Sequence, residues 1–196
     1  NIKKNEVIGI KGDSGSGKTT LLNIISKLSS PTNGKMMVDD KILSDKKDIR
    51  AYQNLISLSS QDTFLIEASI KENILLGTEE TFDEQKFIHS LDFSQVKDFL
   101  NSMPNGVDTL IGTNSKTISS GQKQRIAIAR QIYSDKEIFI FDEATNAIDE
   151  KRERIIFENI KTLKSKKTII LVSHNPTNLE ICDKIYYLEK GNLIEK

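Results

Sequence analysis

With 196 residues, 28 basic and 28 acidic side chains and zero net charge, the chain can bury one α/β core but carries no charge excess for a nucleic-acid face or a polybasic membrane anchor. Its one cysteine, Cys182, excludes an internal disulfide and fits a reducing, cytosolic setting, where it packs as a small apolar group. No apolar run approaches the ~20 residues that span a bilayer, and no secretory signal pattern is present.

In chain order, Glu6-Val7-Ile8-Gly9-Ile10 is a β-rich run that reads as a buried strand ending in a Gly-rich loop. Thr19 to Leu28 has helical apolar spacing through Leu21, Leu22, Ile24, Ile25 and Leu28. Pro31-Thr32-Asn33-Gly34 marks a turn, and Lys35 to Val38 and Leu55 to Ser59 read as strands. Phe82 to Met103 is expected to be an amphipathic helix, with Phe87, Ile88, Leu91, Val96, Phe99 and Leu100 on its apolar faces. Ile138 to Phe141 and Thr168 to Val172 are apolar strands. The stretch Tyr186 to Ile194 reads as a hairpin turning at Lys190-Gly191-Asn192. Short strands alternating with helices predict a mostly parallel sheet, and the helix-rich stretch from about 63 to 132 predicts a separate lobe.

The chemistry begins at Gly12, Asp13, Ser14, Gly15, Ser16, Gly17, Lys18 and Thr19, which match G-x-x-x-x-G-K-[ST], with Thr20 following. Glycines let backbone N–H groups turn in on phosphate oxygens, and the next helix aims its positive end at them. Lys18 supplies a mobile charge for the β- and γ-phosphates, and Thr19 a hydroxyl for Mg²⁺. An ordinary Gly/Ser-rich turn would not need an apolar strand before it and an amphipathic helix after it. Farther on, the strand Ile138 to Phe141 ends in Asp142 and Glu143. Alone, that pair is an ordinary exposed strand end. Beside a phosphate loop, Asp142 is placed to hold Mg²⁺ through water and Glu143 to polarise a water for attack on the γ-phosphate.

Together with these, the remaining motifs resemble an ATP-binding cassette (ABC) nucleotide-binding domain. Gln61 resembles the Q-loop glutamine, which contacts Mg²⁺ and the attacking water. Ile118-Ser119-Ser120-Gly121-Gln122 resembles the Leu-Ser-Gly-Gly-Gln signature. Thr145-Asn146-Ala147-Ile148-Asp149 resembles the D-loop, and His174 the switch histidine at the γ-phosphate. His89 has no motif around it and reads as a helix-surface residue. The resemblance covers essentially all of residues 1–196. It implies a P-loop NTPase core with a mostly parallel sheet, an antiparallel β portion and an inserted helical subdomain. It also implies ATP and Mg²⁺, and two domains closing head to tail so that Ser119, Ser120, Gly121 and Gln122 cap ATP held by the partner.

The stretch Gln61 to Ile74 resembles the exporter form Gln-Asp-x-x-Leu-Phe-x-x-Thr-Ile-x-Glu-Asn-Ile, and Asn105 to Gly112 resembles the exporter segment before the signature, thought to touch membrane coupling helices. The resemblance therefore implies ATP hydrolysis powering export. It places membrane domains upstream on the same polypeptide and this domain at the cytoplasmic face of the cell membrane. The first residue, Asn1, is not Met, so the chain reads as a segment of something longer. The family's adenine-stacking aromatic is expected upstream, since none precedes Gly12. Two departures stand out. Ile111 precedes Gly112 and Thr113-Asn114-Ser115 follows it, where the family commonly has Gly-Glu-x-Gly; and Ser120 replaces a family glycine, so reduced hydrolysis is expected. Competing readings are an impaired ATP-binding half of a heterodimer, a soluble ABC ATPase acting on DNA or ribosomes, and a P-loop kinase. Glu143 and His174 count against the first, neutral charge and the exporter-like stretch against the second, and the signature and Asp149 segments against the third.

Overall fold

Apolar runs with β-branched side chains assemble into a six-stranded sheet, in the order Asn192–Glu195, Lys184–Glu189, Val7–Lys11, Thr168–Val172, Ile138–Asp142 and Ile56–Ser59. The computed structural model describes residues 1–78, 81–112 and 118–195. Val7–Lys11 runs parallel to both neighbours, and Ile138–Asp142 runs parallel to Thr168–Val172, with Ile10 opposite Val172 and Asp142 opposite Val172 on its other side. Every residue of Thr168–Val172 is buried, as expected for a central parallel strand covered on both faces. The terminal strand Asn192–Glu195 pairs antiparallel with Lys184–Glu189.

The chain divides into two units. The first comprises Asn1–Leu58, Lys136–Asp142 and Lys164–Lys196. Its core joins Ile8, Ile10, Ile140, Ile170 and Val172 to Leu22 of the helix Lys18–Ile25. Alternate strand residues share one face, so these side chains line up by period two. Burying each stabilises the fold by about 1.5–3 kcal/mol.

Three sequence expectations need correction here. The helix expected to reach Leu28 ends at Ile25, because Lys27 turns left-handed (φ 58°). The Lys27 N–H then donates to Ile24 O and the Leu28 N–H to Asn23 O, a Schellman ending that leaves Leu28 exposed. The strand expected from Lys35 shrinks to Met37–Val38, paired with Lys41–Ile42 across Asp39 and Asp40, both at positive φ. Two positive φ values make a tight hairpin turn whose twist matches the strands. The terminal hairpin turns on Lys190 and Gly191 alone (φ 48° and 79°), while Asn192 already pairs with Glu189.

The second unit comprises Ser59–Asp135 and Glu143–Leu163. It holds the helices Ile70–Leu75, Glu84–Phe93, Lys97–Leu100, Ser120–Ser134 and Glu150–Lys161. Ile70, Ile74, Phe87, Leu91, Ile126 and Tyr133 meet in its core. The single helix expected over Phe82 to Met103 is instead broken at Gln95 (φ 59°). The Gln95 N–H donates to Asp92 O and the Val96 N–H to Leu91 O, so a second Schellman ending drives Val96 into the core. Arg125 fixes the break by donating from Nη1 to Gln95 O at 2.8 Å. Ile88, expected on the apolar face, is exposed.

Candidate functional site

In the first unit, three parallel strands end on one edge, and the loop after Val7–Lys11, Asp142, and Ser173-His174 all emerge there. That edge is where open α/β sheets place ligands. Gly17 caps the helix Lys18–Ile25 at φ 102°, a conformation glycine adopts without the steric cost of a Cβ. It makes no side-chain cap bond, and the first helical turn carries no acidic residue. The helix's positive end thus keeps its N–H groups for an outside anion. Ser16 Oγ is buried with no hydrogen-bond partner among the described residues.

Lys18 is only 8% exposed; its Nζ donates to Gly12 O at 2.8 Å and Asp13 O at 3.1 Å. Those carbonyls offset the desolvation of its charge. Thr19 Oγ1 donates to Asp142 Oδ2 at 3.3 Å, and Asp142 is 5% exposed. The fold thereby joins two residues 123 positions apart. His174 is exposed just beyond the strand. Its bend is held by Ser173 Oγ, which accepts from Asn175 N–H (3.1 Å) and Asn178 Nδ2 (3.2 Å).

The second unit carries the remaining candidates. Ser119 is the N-cap of Ser120–Ser134: its Oγ accepts from Gln122 N–H at 3.2 Å, while Gln122 Oε1 accepts from Ser119 N–H at 2.8 Å. This reciprocal capping box satisfies two orphan donors and fixes the turn. Ser119 and Ser120 are exposed. Gln61, Asp62, Thr63, Ser120, Lys123 and Gln124 line an open groove of about 230 Å³. Glu143 sits at φ 51°, and its Oε2 accepts from Asn146 Nδ2 at 2.7 Å. Asp149 caps the helix Glu150–Lys161 by accepting from Arg152 N–H at 3.2 Å; the Arg152 side chain bridges Asp149 and Asp98, both at 3.0 Å. The Thr113-Asn114-Ser115 departure lies outside the described residues.

Sequence reading missed Gln124. It lies inside the helix and is buried, and its Oε1 accepts from Ala147 N–H at 2.9 Å. It missed the reason for Gly121 as well. A Cβ there would lie 2.5 Å from Ala147 O, so only glycine lets the turn approach that loop. Neither signal is local, since the partner is more than twenty residues away.

The sequence profile of the ABC transporter family matches residues 1–146. The ATP-dependent lipid A-core flippase of Burkholderia orbicola (strain AU 1054) is 38% identical over 191 residues, which cover 97% of this chain and 32% of that protein. The leukotoxin translocation ATP-binding protein LktB of Mannheimia glucosida is 38% identical over 197 residues, covering 100% of this chain and 27% of that protein. A solved bacterial Atm1-family ABC exporter with ATP bound superposes with a TM-score of 0.88 at 27% identity, over 97% of this chain and 33% of that one. The chain therefore spans about a third or less of the length of the curated relatives it matches.

Proposed function

The chain belongs to the ABC transporter family, and from that premise we propose that it binds and hydrolyses ATP to power export of a substrate across a membrane. The observation that carries this reading is the phosphate loop itself. A helix end with no side-chain cap, a buried Ser16 Oγ with no hydrogen-bond partner among the described residues and the buried Lys18 converge on one loop, beside the Thr19–Asp142 pair. These are the donors a triphosphate needs. Thr19 Oγ1 and Asp142 suit Mg²⁺, a hard cation that takes one or two protein oxygens and completes its shell with phosphate and water. Thr19, Asp142 and Gln61 would hold it; bound there, it neutralises charge on the phosphates.

Glu143 acts as the base that orients the attacking water, and His174 and Gln61 contact the γ-phosphate and that water. Gly12 to Thr20 cradle the phosphates. Ser119, Ser120, Gly121 and Gln122 act in trans, capping ATP bound by a second nucleotide-binding domain, with Asp149 beside them. ATP thus biases the equilibrium toward a closed head-to-tail pair, and hydrolysis releases it.

A membrane-domain partner is supported by the two exporter-like segments. Ala68–Ser69 pairs with Leu110–Ile111, so the stretches found separately in sequence form one small sheet. It presents Leu110 (75% exposed), and the Gln61 to Ile74 stretch also carries Phe64 (61% exposed), large apolar groups suited to burial against another domain. Among the described residues no helix is long and apolar enough to cross a membrane. In this reading the domain works at the cytoplasmic face, with membrane helices upstream on the same polypeptide.

The test is Glu143→Gln in the full-length transporter. Phosphate release should fall by about 10²–10⁴-fold, the range for losing a general base. ATP-dependent pairing should persist or strengthen. Unchanged turnover would sink the assignment.

A further inference from the structure

Two side-by-side positions of one helix grip the same residue of the 144–149 loop. Gly121 and Gln124 are three apart on Ser120–Ser134 and so share a face. Gln124 Oε1 takes the Ala147 N–H at 2.9 Å, from a side chain only 5% exposed. Gly121 lies against the carbonyl side of the same residue: a Cβ there would sit 2.5 Å from Ala147 O and 3.5 Å from Ile148 Cα. The Ala147 N–H is thus hydrogen-bonded, and its carbonyl packs closely against Gly121. The loop's flanks are tied too. Thr145 Oγ1 donates to Glu153 Oε1 at 2.7 Å, and Asp149 is bound by Arg152. On the other side of the turn, the Ser119–Gln122 capping box fixes the helix start. The helix and the loop are therefore joined by the Gln124–Ala147 hydrogen bond and by close packing at Gly121.

We propose that Gln124 is a positioning residue: it clips the 144–149 loop to the signature turn, so that Ser119–Gln122 and Asp149 reach a second copy's nucleotide as one rigid face. The proposal rests on the trans role given to that turn above. Gln124 itself touches no nucleotide in this role. Its contribution is to hold donors in place, and a displacement near 1 Å can cost about 100-fold in rate.

The experiment uses the full-length transporter. Gln124→Met keeps the length and removes the strong acceptor, Gln124→Asn keeps the amide but withdraws it, and Gln124→Glu retains an acceptor at the same reach. Hydrogen exchange at the Ala147 amide and the kcat and KM for ATP are measured for each. Gln124→Met and Gln124→Asn should speed Ala147 exchange by about two- to tenfold, the range for one net hydrogen bond, with exchange over 126–132 unchanged. They should lower kcat by about tenfold or more while leaving KM within about twofold. Gln124→Glu should restore both readouts toward wild type. Unchanged Ala147 exchange in both acceptor-loss variants overturns the clip. Faster exchange with unaltered kcat, or a Gln124→Glu variant that behaves like Gln124→Met, overturns the positioning role. If Gln124→Met unfolds, Gln124→Asn decides the outcome. Turnover surviving Glu143→Gln would refute the ATPase reading while leaving the Ala147 exchange result standing, so the two failures are distinguishable.

Discussion

Replacing Gly121 by alanine adds one methyl group, and the structure says what it meets. The new Cβ would stand 2.5 Å from Ala147 O and 3.3 Å from Ala147 C. A carbon rests about 3.3 Å from a carbonyl oxygen, so roughly 0.8 Å must open between helix and loop. The obstacle is backbone, and that backbone is tethered by Gln124, so no side-chain rotation relieves it. Overpacking of this kind costs about 1–3 kcal/mol. Alanine returns at most about 1 kcal/mol through helix propensity, and less in a first turn. With about 0.5 kcal/mol returned, the net loss is about 0.5–2.5 kcal/mol, a fall in Tm of roughly 1–10 °C for a chain of this size. Thermal unfolding followed by circular dichroism measures it, with Ser120→Ala as the neighbouring control. Ser120 is exposed, so that variant should stay within about 0.5 kcal/mol of wild type. A Gly121→Ala protein as stable as wild type would show that the turn and loop have slack, and the packing reasoning would be wrong.

Two further outcomes are expected. Ser119→Ala deletes one arm of the capping box, so urea unfolding should show a loss of about 1 kcal/mol; an unchanged midpoint would mean that the cap adds nothing. Asp183 is held below its ordinary 3.8, first by the Lys164 hydrogen bond and then by the Val7 N–H, with desolvation opposing. A depressed carboxylate stabilises the fold above its unfolded pKa and loses that contribution as pH falls through the folded value. Asp183→Asn should therefore flatten the decline of Tm with acidification below about pH 4, and parallel Tm–pH curves for the two proteins would refute the link.

What could be read from sequence was whatever chemistry is written in consecutive residues. Gly12 to Thr19 and Asp142-Glu143 carry their own context, a strand on one side and a helix or loop on the other. The helix ends were less legible, because residues without special backbone freedom make the reversals. Lys27 and Gln95 both adopt left-handed φ, where glycine or asparagine would have announced the stop. At Gln95 long-range packing selects that conformation: Val96 is buried, and Arg125 reaches Gln95 O. The Phe82 to Met103 stretch therefore looked like one helix although it is two. The same limit hid Gln124, whose polar side chain inside an amphipathic pattern passes for a solvated face until Ala147 is seen beside it.

Glu143 also makes a demand on its own backbone. At φ 51° it occupies a region that costs an L-residue about 1 kcal/mol or more and that asparagine tolerates better. Its side chain accepts a hydrogen bond from Asn146 at a partly exposed position. On backbone preference alone, asparagine or glycine would suit this position better than glutamate, and a mutational scan scored for folding reads that preference directly. With Glu143 as the base proposed above, a scan scored for turnover would rank it as untouchable. A divergence between those two rankings at one residue would mark selection for chemistry against conformational preference, readable without knowing what is transported.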